Sequence, residues 1–315
     1  MRLVERLPPV ALLAKSAAIV LIAVVPVGLA WWLVEGQIAV AVYLGMTFMT
    51  VAAGRLPLLE QIWVGLSAGL AAAVGALVAG NTPLLLVTVV TACALQWVFN
   101  QRSVGVAALL PSNLLLYAVL TPDSAVAVAA ANWLGAAVVI VVAAVIRMRF
   151  TTEPAPGRDA AVHAAALACG CVLLIGLTRA FDLPRGNWAV LTLCLVFVPA
   201  SGATRARVVH RVLGTTAGAT AAVAIAVAAP PTLCLVLAAL CAVLTVTYAL
   251  VPDDLLYAAF LTPTVLLLFS SGRAHATAEI AVQRLGMTVV GGGLAIVLVG
   301  VMALLPGRWR QCPPW

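Results

Sequence analysis

The stretch ATRARVVHRVLGTTAGATAAVAIA, residues 203–226, places three arginines directly before two glycines that lie four residues apart. Positions spaced by three or four residues share one face of a helix, here Arg207, Arg211, Gly214 and Gly218. Glycines at this spacing let two membrane helices approach each other closely. The stretch therefore predicts a closely packed transmembrane helix with cationic side chains at its entrance.

The composition of the whole chain is that of a membrane protein. Of its 315 residues, 64% are hydrophobic and 9% are charged, whereas an ordinary soluble domain has about 25% charged residues. The mean hydropathy is +1.17. No soluble fold buries so much apolar surface at this length, so we expect a polytopic membrane protein. The net charge of +7 is better explained by arginines in cytoplasmic loops than by nucleic-acid binding.

Apolar runs long enough to cross a bilayer recur along the chain, and the predicted class is all-α. A spanning helix needs about 20 mostly apolar residues. Reading the runs between punctuating residues gives about twelve transmembrane helices: 12–34, 37–53, 60–79, 82–100, 103–120, 124–146, 160–180, 187–201, 208–229, 231–251, 254–271 and 279–305. The segments 187–201 and 208–229 are alternatively broken or re-entrant. We read the apolar N-terminal run as a retained helix rather than a signal peptide.

The two halves of the sequence resemble each other. GRLPLLEQIWVGLSAGLAAAVGAL, residues 54–77, aligns with the opening stretch so that Gly65 and Gly69 match Gly214 and Gly218. This predicts two tandem six-helix repeats, 1–146 and 160–306, joined by a cytoplasmic linker and followed by a cytoplasmic tail, at 147–159 and 307–315. An even number of helices keeps both repeats in one orientation, as in some transporters.

Loop arginines predict the orientation in the membrane. If the N-terminus is cytoplasmic, most of the cationic residues fall on the cytoplasmic side, which is the usual bias of membrane proteins. We therefore expect both termini to be cytoplasmic.

Arginines beside or within apolar runs are candidate contacts for an anion. Arg284, next to Gln283, lies inside the last apolar run, and an ionisable residue there suggests a functional site with Glu279 or a bound anion as its partner. Arg205, Arg207 and Arg211 precede another run. The alternatives are a snorkelling Arg284, ordinary cytoplasmic loop charge for the other three arginines, and a pure packing role for the glycine pairs.

Polar insertions occur in the fifth run of each half. LLPSNLLLYAVL contains Asn113 after a proline, and FLTPTVLLLF contains Thr264 after another. Prolines free backbone carbonyls, which in a membrane must meet protein or a wet cavity, so both residues are candidates for a transport site; a simple kink is the alternative. Trp188 is either an interface anchor or a stacking surface for an aromatic substrate.

The sequence contains no pattern typical of an enzyme. The three histidines lie far apart, the cysteines have no metal-ligand spacing, and there is no phosphate-binding GxxxxGK[ST] loop. We therefore expect no catalytic residue, metal or cofactor.

Two motifs resemble a known family of transporters, the fusaric acid resistance protein-like family, also called aromatic acid exporters. The first motif is met by Trp188, Thr192, Pro199, Arg205, Arg211, Gly214, Thr215 and Gly218. The second motif is met by Ala281, Arg284, Leu285, Thr288 and Gly291. The match to the family pattern is strong over 187–222 and moderate over the last run. The first half of the chain matches the pattern only as a degenerate copy of the second half.

The resemblance implies a multi-pass protein of the bacterial inner membrane that exports organic, mainly aromatic, carboxylate anions along a path between the two repeats. The partners it implies are a small organic anion and the lipid bilayer, with homo-oligomer formation left open and no nucleic acid. The alternatives are a passive anion channel and a non-transporting membrane subunit of a cell-envelope assembly.

Overall fold

The computed structural model describes residues 8–33, 36–53, 56–101, 109–120, 123–146, 157–183, 185–198, 201–251, 253–270 and 272–304. These residues form helices and no strand. The helices are α1 Val10–Leu33, α2 Gly36–Ala52, α3 Leu58–Leu77, α4 Thr82–Gln101, α5 Leu109–Leu120, α6 Ala125–Val145, α7 Gly157–Ala180, α8 Asn187–Val196, α9 Ser201–Ala228, α10 Pro231–Leu250, α11 Asp254–Ser270 and α12 Ala274–Leu304. The predicted all-helical class is confirmed.

Eight of the helices are long and apolar enough to cross a membrane. The other four, α2, α5, α8 and α11, contain shorter apolar segments of 10–17 residues. The helix α8 covers only about 15 Å at 1.5 Å per residue, half of a hydrocarbon core. Twelve crossings, the tandem repeat and cytoplasmic termini therefore stay predictions. Most of the predicted linker (147–156) and the tail 307–315 lie outside the described residues.

Helix α8 ends at Val196 and α9 begins at Ser201. A broken segment in this region was one of the alternatives predicted from the sequence. Phe197 has an extended backbone with ψ 107° after α8 ends. The Thr204 hydroxyl, on the first turn of α9, lies 3.2 Å from both the amide nitrogen and the carbonyl oxygen of Val198. On the other side, His163 of α7 bonds to the Phe197 carbonyl at 3.0 Å and stacks on its ring. The α9 helix begins at Ser201, earlier than the predicted 208, because these contacts order the arginine-rich turn.

The described residues separate into two compact units whose boundaries differ from those of the predicted repeats. The larger unit contains the described parts of Ala23–Arg205 and Gly291–Trp315, and the smaller unit those of Met1–Ile22 and Ala206–Val290. The repeats were predicted from the similarity of the two halves of the sequence, which the division into compact units does not test. The tandem repeat therefore stays a prediction.

In the larger unit, α2, α3, α5 and α6 pack together. Small side chains let these helices approach closely, because a Cβ atom on Gly45 would meet the Asn132 backbone and one on Gly135 would meet the Val42 carbonyl. The helices bury a cluster of mainly apolar residues: Ala41, Val42, Met46, Ala72, Tyr117, Val128 and Ala131. The α7 helix packs against α4 and α8.

In the smaller unit, α11 packs against α9 and α10. Pro263 lies inside α11 and has no N–H, so the Ala259 carbonyl loses its helical partner. That carbonyl faces Gly218 of α9, where an added Cβ would collide with it. Because Gly218 has no side chain, the freed Ala259 carbonyl lies against α9 rather than against lipid. A backbone carbonyl without a helical partner must face protein or water inside a membrane. Gly214, one turn earlier, meets the Leu255 carbonyl in the same way.

We predict that Gly218→Ala destabilises the protein. Its methyl group would meet Pro263 Cδ at 2.8 Å and Thr262 Cβ at 2.9 Å as well as the Ala259 carbonyl, an overpacking that costs about 1–3 kcal/mol. Thermal unfolding in detergent measures the loss. The control is Gly286→Ala, whose added atom has nothing within 4 Å and which gains up to about 1 kcal/mol from helix propensity. Equal melting temperatures for the two variants would contradict this close contact.

Candidate functional site

The cytoplasm-facing end predicted for α9 carries an ion pair to α11. Arg207 Nε lies 3.5 Å from Asp254 Oδ2, and the two side chains are 25% and 52% exposed. Asp254 is the first residue of α11, where a negative charge is favoured by the helix dipole. Asp253, just before it, accepts a hydrogen bond from the Leu256 N–H at 3.0 Å and so caps the helix.

One turn further along α11, a tyrosine interacts with two arginines. Tyr257 of α11 interacts electrostatically with both Arg211 of α9 and Arg284 of α12, and also with Asp254. The Arg284 side chain is buried, with 8% of its surface exposed, whereas Arg211 and Tyr257 are half-buried. We call Arg211, Tyr257 and Arg284 the arginine cluster. It brings two positive charges and a phenol together from three helices that are far apart in the sequence.

A buried hydroxyl lies beside the arginine cluster on α9. Thr215 follows Arg211 by one turn and is 1% exposed. Its Oγ1 has no hydrogen-bond partner among the described residues, although a threonine in a helix commonly bonds to the carbonyl four residues earlier. Thr220 and Thr288, in comparison, both make that bond. The Thr215 hydroxyl is therefore an unused donor on the arginine-bearing helix.

Two other predicted site residues of the smaller unit use their polar groups elsewhere. Gln283 donates to Glu279 Oε1 at 3.2 Å, so the carboxylate that the sequence offered to Arg284 bonds to Gln283. The Thr264 hydroxyl lies 2.9 Å from the Phe260 carbonyl and 3.4 Å from the Ala238 carbonyl of α10. Thr264 thereby helps to hold α11 against α10.

The remaining predicted site residues lie in the larger unit. Arg205 is exposed at the start of α9. Trp188 is half-buried, and the Arg185 guanidinium lies over its ring at 5.4 Å from the centroid, a cation–π contact. Asn113 is fully buried and donates to the Ala68 carbonyl of α3 at 3.2 Å.

The glycine pairs of the two halves have different neighbours. Gly65 and Gly69 of α3 face α6, where Trp133 covers Gly69 and donates to the Leu66 carbonyl at 3.1 Å. Gly214 and Gly218 of α9 face α11 instead.

Neither Tyr257 nor Asp254 was among the site residues predicted from the sequence. The available signal was their spacing, because residues 254 and 257 share a face at the start of an apolar helix that also contains a proline. The spacing of residues 254 and 257 does not indicate which residues of other helices they interact with. The electrostatic interaction of Tyr257 with Arg211 and Arg284 depends on how α9, α11 and α12 pack, which residue spacing does not determine.

The described residues are those of a multi-pass helical membrane protein, with the candidate site inside a helical unit. Residues 171–298 match the family described as fusaric acid resistance protein-like, so the resemblance noted in the sequence is confirmed over that segment. The segment runs from α7 into α12 and contains the whole arginine cluster. No curated protein and no solved structure matches the chain. The family match points to a membrane transporter.

We predict that Thr215→Val leaves the melting temperature unchanged or raises it, because the change removes a buried hydroxyl that makes no hydrogen bond. The same variant is expected to weaken stabilisation by a carboxylate such as benzoate, which would lose a donor. Thermal unfolding with and without benzoate measures both effects. Thr288→Val is the control, since its hydroxyl donates to the Arg284 carbonyl at 2.8 Å. A larger loss of stability in Thr215→Val than in this control would show that Thr215 already has a partner.

Proposed function

We propose that the protein exports organic, mainly aromatic, carboxylate anions across the bacterial inner membrane, along a path between its two repeats. The electrostatic interaction of both Arg211 and Arg284 with Tyr257 carries this proposal. The family match over 171–298 supports the transporter class.

The arginine cluster has the chemistry that binds a carboxylate. Guanidinium groups keep their charge and donate two parallel hydrogen bonds to a carboxylate, and the Tyr257 phenol adds a further donor. Burying a positive charge in a membrane helix is costly, and an anion held between Arg211 and Arg284 offsets that cost. The phenol ring also offers an apolar face to an aromatic substrate.

Asp254 gives the site a carboxylate of its own at the predicted cytoplasmic side. It pairs with Arg207 and also interacts with Arg211. A substrate carboxylate entering from the cytoplasm would compete with Asp254 for the same arginines. We propose that the substrate carboxylate displaces Asp254 when it enters the cluster. When the substrate leaves, Asp254 pairs with the arginines again, so their positive charges always have a negative partner and release of the anion is favoured.

Efflux from proteoliposomes loaded with labelled carboxylates tests the proposal. We expect Arg211→Gln and Arg284→Gln to raise the half-saturating concentration of benzoate about 10–100-fold, since one charged hydrogen bond contributes about 1.5–3 kcal/mol. The control is Arg273→Gln, an exposed arginine before α12 that donates to the Ser270 carbonyl at 3.3 Å. Flux that is unaffected in both cluster variants would overturn the site, and absence of any carboxylate flux in folded protein would favour the membrane-subunit alternative.

We predict that Asp254→Asn lowers the half-saturating benzoate concentration several-fold, because the competing carboxylate is removed. The effect on stability is expected to stay below about 1 kcal/mol, as is usual for an exposed ion pair. Asp253→Asn is the matched control, because it removes the same charge one residue away while an asparagine still caps α11. An equal change in both variants would indicate a general field effect rather than direct competition.

A further inference from the structure

Buried side-chain hydrogen bonds join α5 to α2, α3 and α6 in the larger unit. The Tyr117 hydroxyl lies 3.2 Å from the Ala41 carbonyl, and Asn132 Nδ2 lies 3.2 Å from the Tyr117 hydroxyl. One turn before Tyr117 on the same face of α5, Asn113 Nδ2 lies 3.2 Å from the Ala68 carbonyl. Each of the three side chains is at most 1% exposed.

The network fixes the direction of every one of these bonds. The Ala41 carbonyl only accepts, so the Tyr117 hydroxyl donates to it and its single proton is used. Asn132 must therefore donate its NH₂ group to the Tyr117 oxygen. Asn113 likewise must donate to the Ala68 carbonyl. Neither amide can be turned round, because its oxygen would then face another acceptor.

This direction leaves buried oxygens without a donor. Asn113 Oδ1, Asn132 Oδ1 and the neighbouring Ser112 Oγ have no hydrogen-bond partner among the described residues. Each such oxygen costs about 1–3 kcal/mol when nothing binds it. The two amide oxygens can only accept, so they favour a species with positive character and disfavour an anion. The Ser112 hydroxyl can either donate or accept, so it can also serve such a species as an acceptor.

We propose that this junction, the amide site of Asn113, Tyr117 and Asn132 with Ser112, binds a small monovalent cation, with Na⁺ as the fitting ion. Hard cations bind to oxygen ligands, and neutral carbonyl oxygens suffice to replace the hydration shell of a monovalent ion inside a membrane protein. Amide, hydroxyl and phenol oxygens do not take up a proton in the physiological pH range, so the site suits a metal cation rather than H⁺.

Close helix contacts keep the site compact. A Cβ atom on Gly45 would collide with the Asn132 backbone, and one on Gly75 would collide with the Leu114 carbonyl. The α2 and α6 backbones and the α3 and α5 backbones are thus in direct contact on either side of the amides. The ligand-bearing helices α5 and α6 both pack against α3, so these contacts restrain their separation through α3, and a small ion needs its ligands at a fixed separation.

The cation site gives the proposed transporter a means of coupling, and this consequence rests on the proposed function. Donor groups for an anion belong to the smaller unit, and acceptor groups for a cation belong to the larger one. Cation movement down its gradient would then drive anion export, with no Asp or Glu proton relay required. Binding of the cation itself does not depend on whether a carboxylate is the cargo.

Thermal unfolding of the purified full chain tests the site without any transport. We compare Na⁺, K⁺ and N-methylglucamine chlorides at equal ionic strength. A ligand that binds only the folded state raises the melting temperature with its concentration, so we expect Na⁺ to raise it more than K⁺ and K⁺ more than N-methylglucamine. Equal melting temperatures in the three salts would overturn the proposal and leave buried water as the partner of these oxygens.

Substitutions locate the effect. Asn113→Leu and Asn132→Leu are expected to raise the half-effective Na⁺ concentration at least about tenfold, and Asn132→Asp, which adds a negative charge, is expected to lower it. The matched control is Asn100→Leu, because Asn100 is also buried but its Oδ1 accepts from Gln96 Nε2 at 3.4 Å. An unchanged Na⁺ effect in Asn132→Asp and Asn113→Leu would overturn the assignment. Should Asn132→Leu fail to fold, the wild-type salt comparison and Asn132→Asp still decide the question.

Flux measurements separate this inference from the proposed function. Carboxylate efflux that follows an imposed Na⁺ gradient supports both. Arginine-dependent efflux with no Na⁺ effect on flux or stability overturns the cation site alone. Na⁺-specific stabilisation without efflux of any carboxylate overturns the proposed export and leaves the cation site standing.

Discussion

Direct contact between helix backbones is the constraint on which the rest of this protein depends. In lipid, apolar surfaces gain little by leaving the solvent, so helices associate through close packing and interhelical hydrogen bonds. Glycines provide that packing in both units, because an added Cβ would strike a carbonyl oxygen of the facing helix at Gly45, Gly75, Gly135, Gly214, Gly218 and Gly291. Buried polar side chains then lie at fixed positions between helices that cannot separate easily.

The two units hold different polar groups for a ligand. The smaller unit contains the charged donors of the arginine cluster and the Thr215 hydroxyl, together with one buried acceptor that has no hydrogen-bond partner among the described residues, Gln283 Oε1. The larger unit gathers acceptors, the amide oxygens of Asn113 and Asn132. Since a buried polar group without a partner is costly, each set favours a ligand of the opposite character. The proposed coupling of a cation to an anion rests on this difference.

The sequence predicted much of the fold because a membrane imposes strong rules on composition. Apolar runs alone predicted the helical class and the approximate bounds of most helices, and the first and last runs differ from α1 and α12 by a few residues. The start of α9 was placed too late, because its first turns are polar and are ordered by Thr204 bonding to Val198. Hydropathy carries no signal for a contact of that kind.

The sequence by itself determined a helical membrane protein and the family resemblance over its second half, and it predicted the arginines that we propose bind an anion. Only the tertiary structure brought Arg211 and Arg284 into electrostatic interaction with Tyr257, paired Asp254 with Arg207, and oriented the amides of Asn113 and Asn132. The physical reason is that helix periodicity fixes which residues share a face of one helix. Which faces meet is decided by the packing of helices that are distant in the sequence.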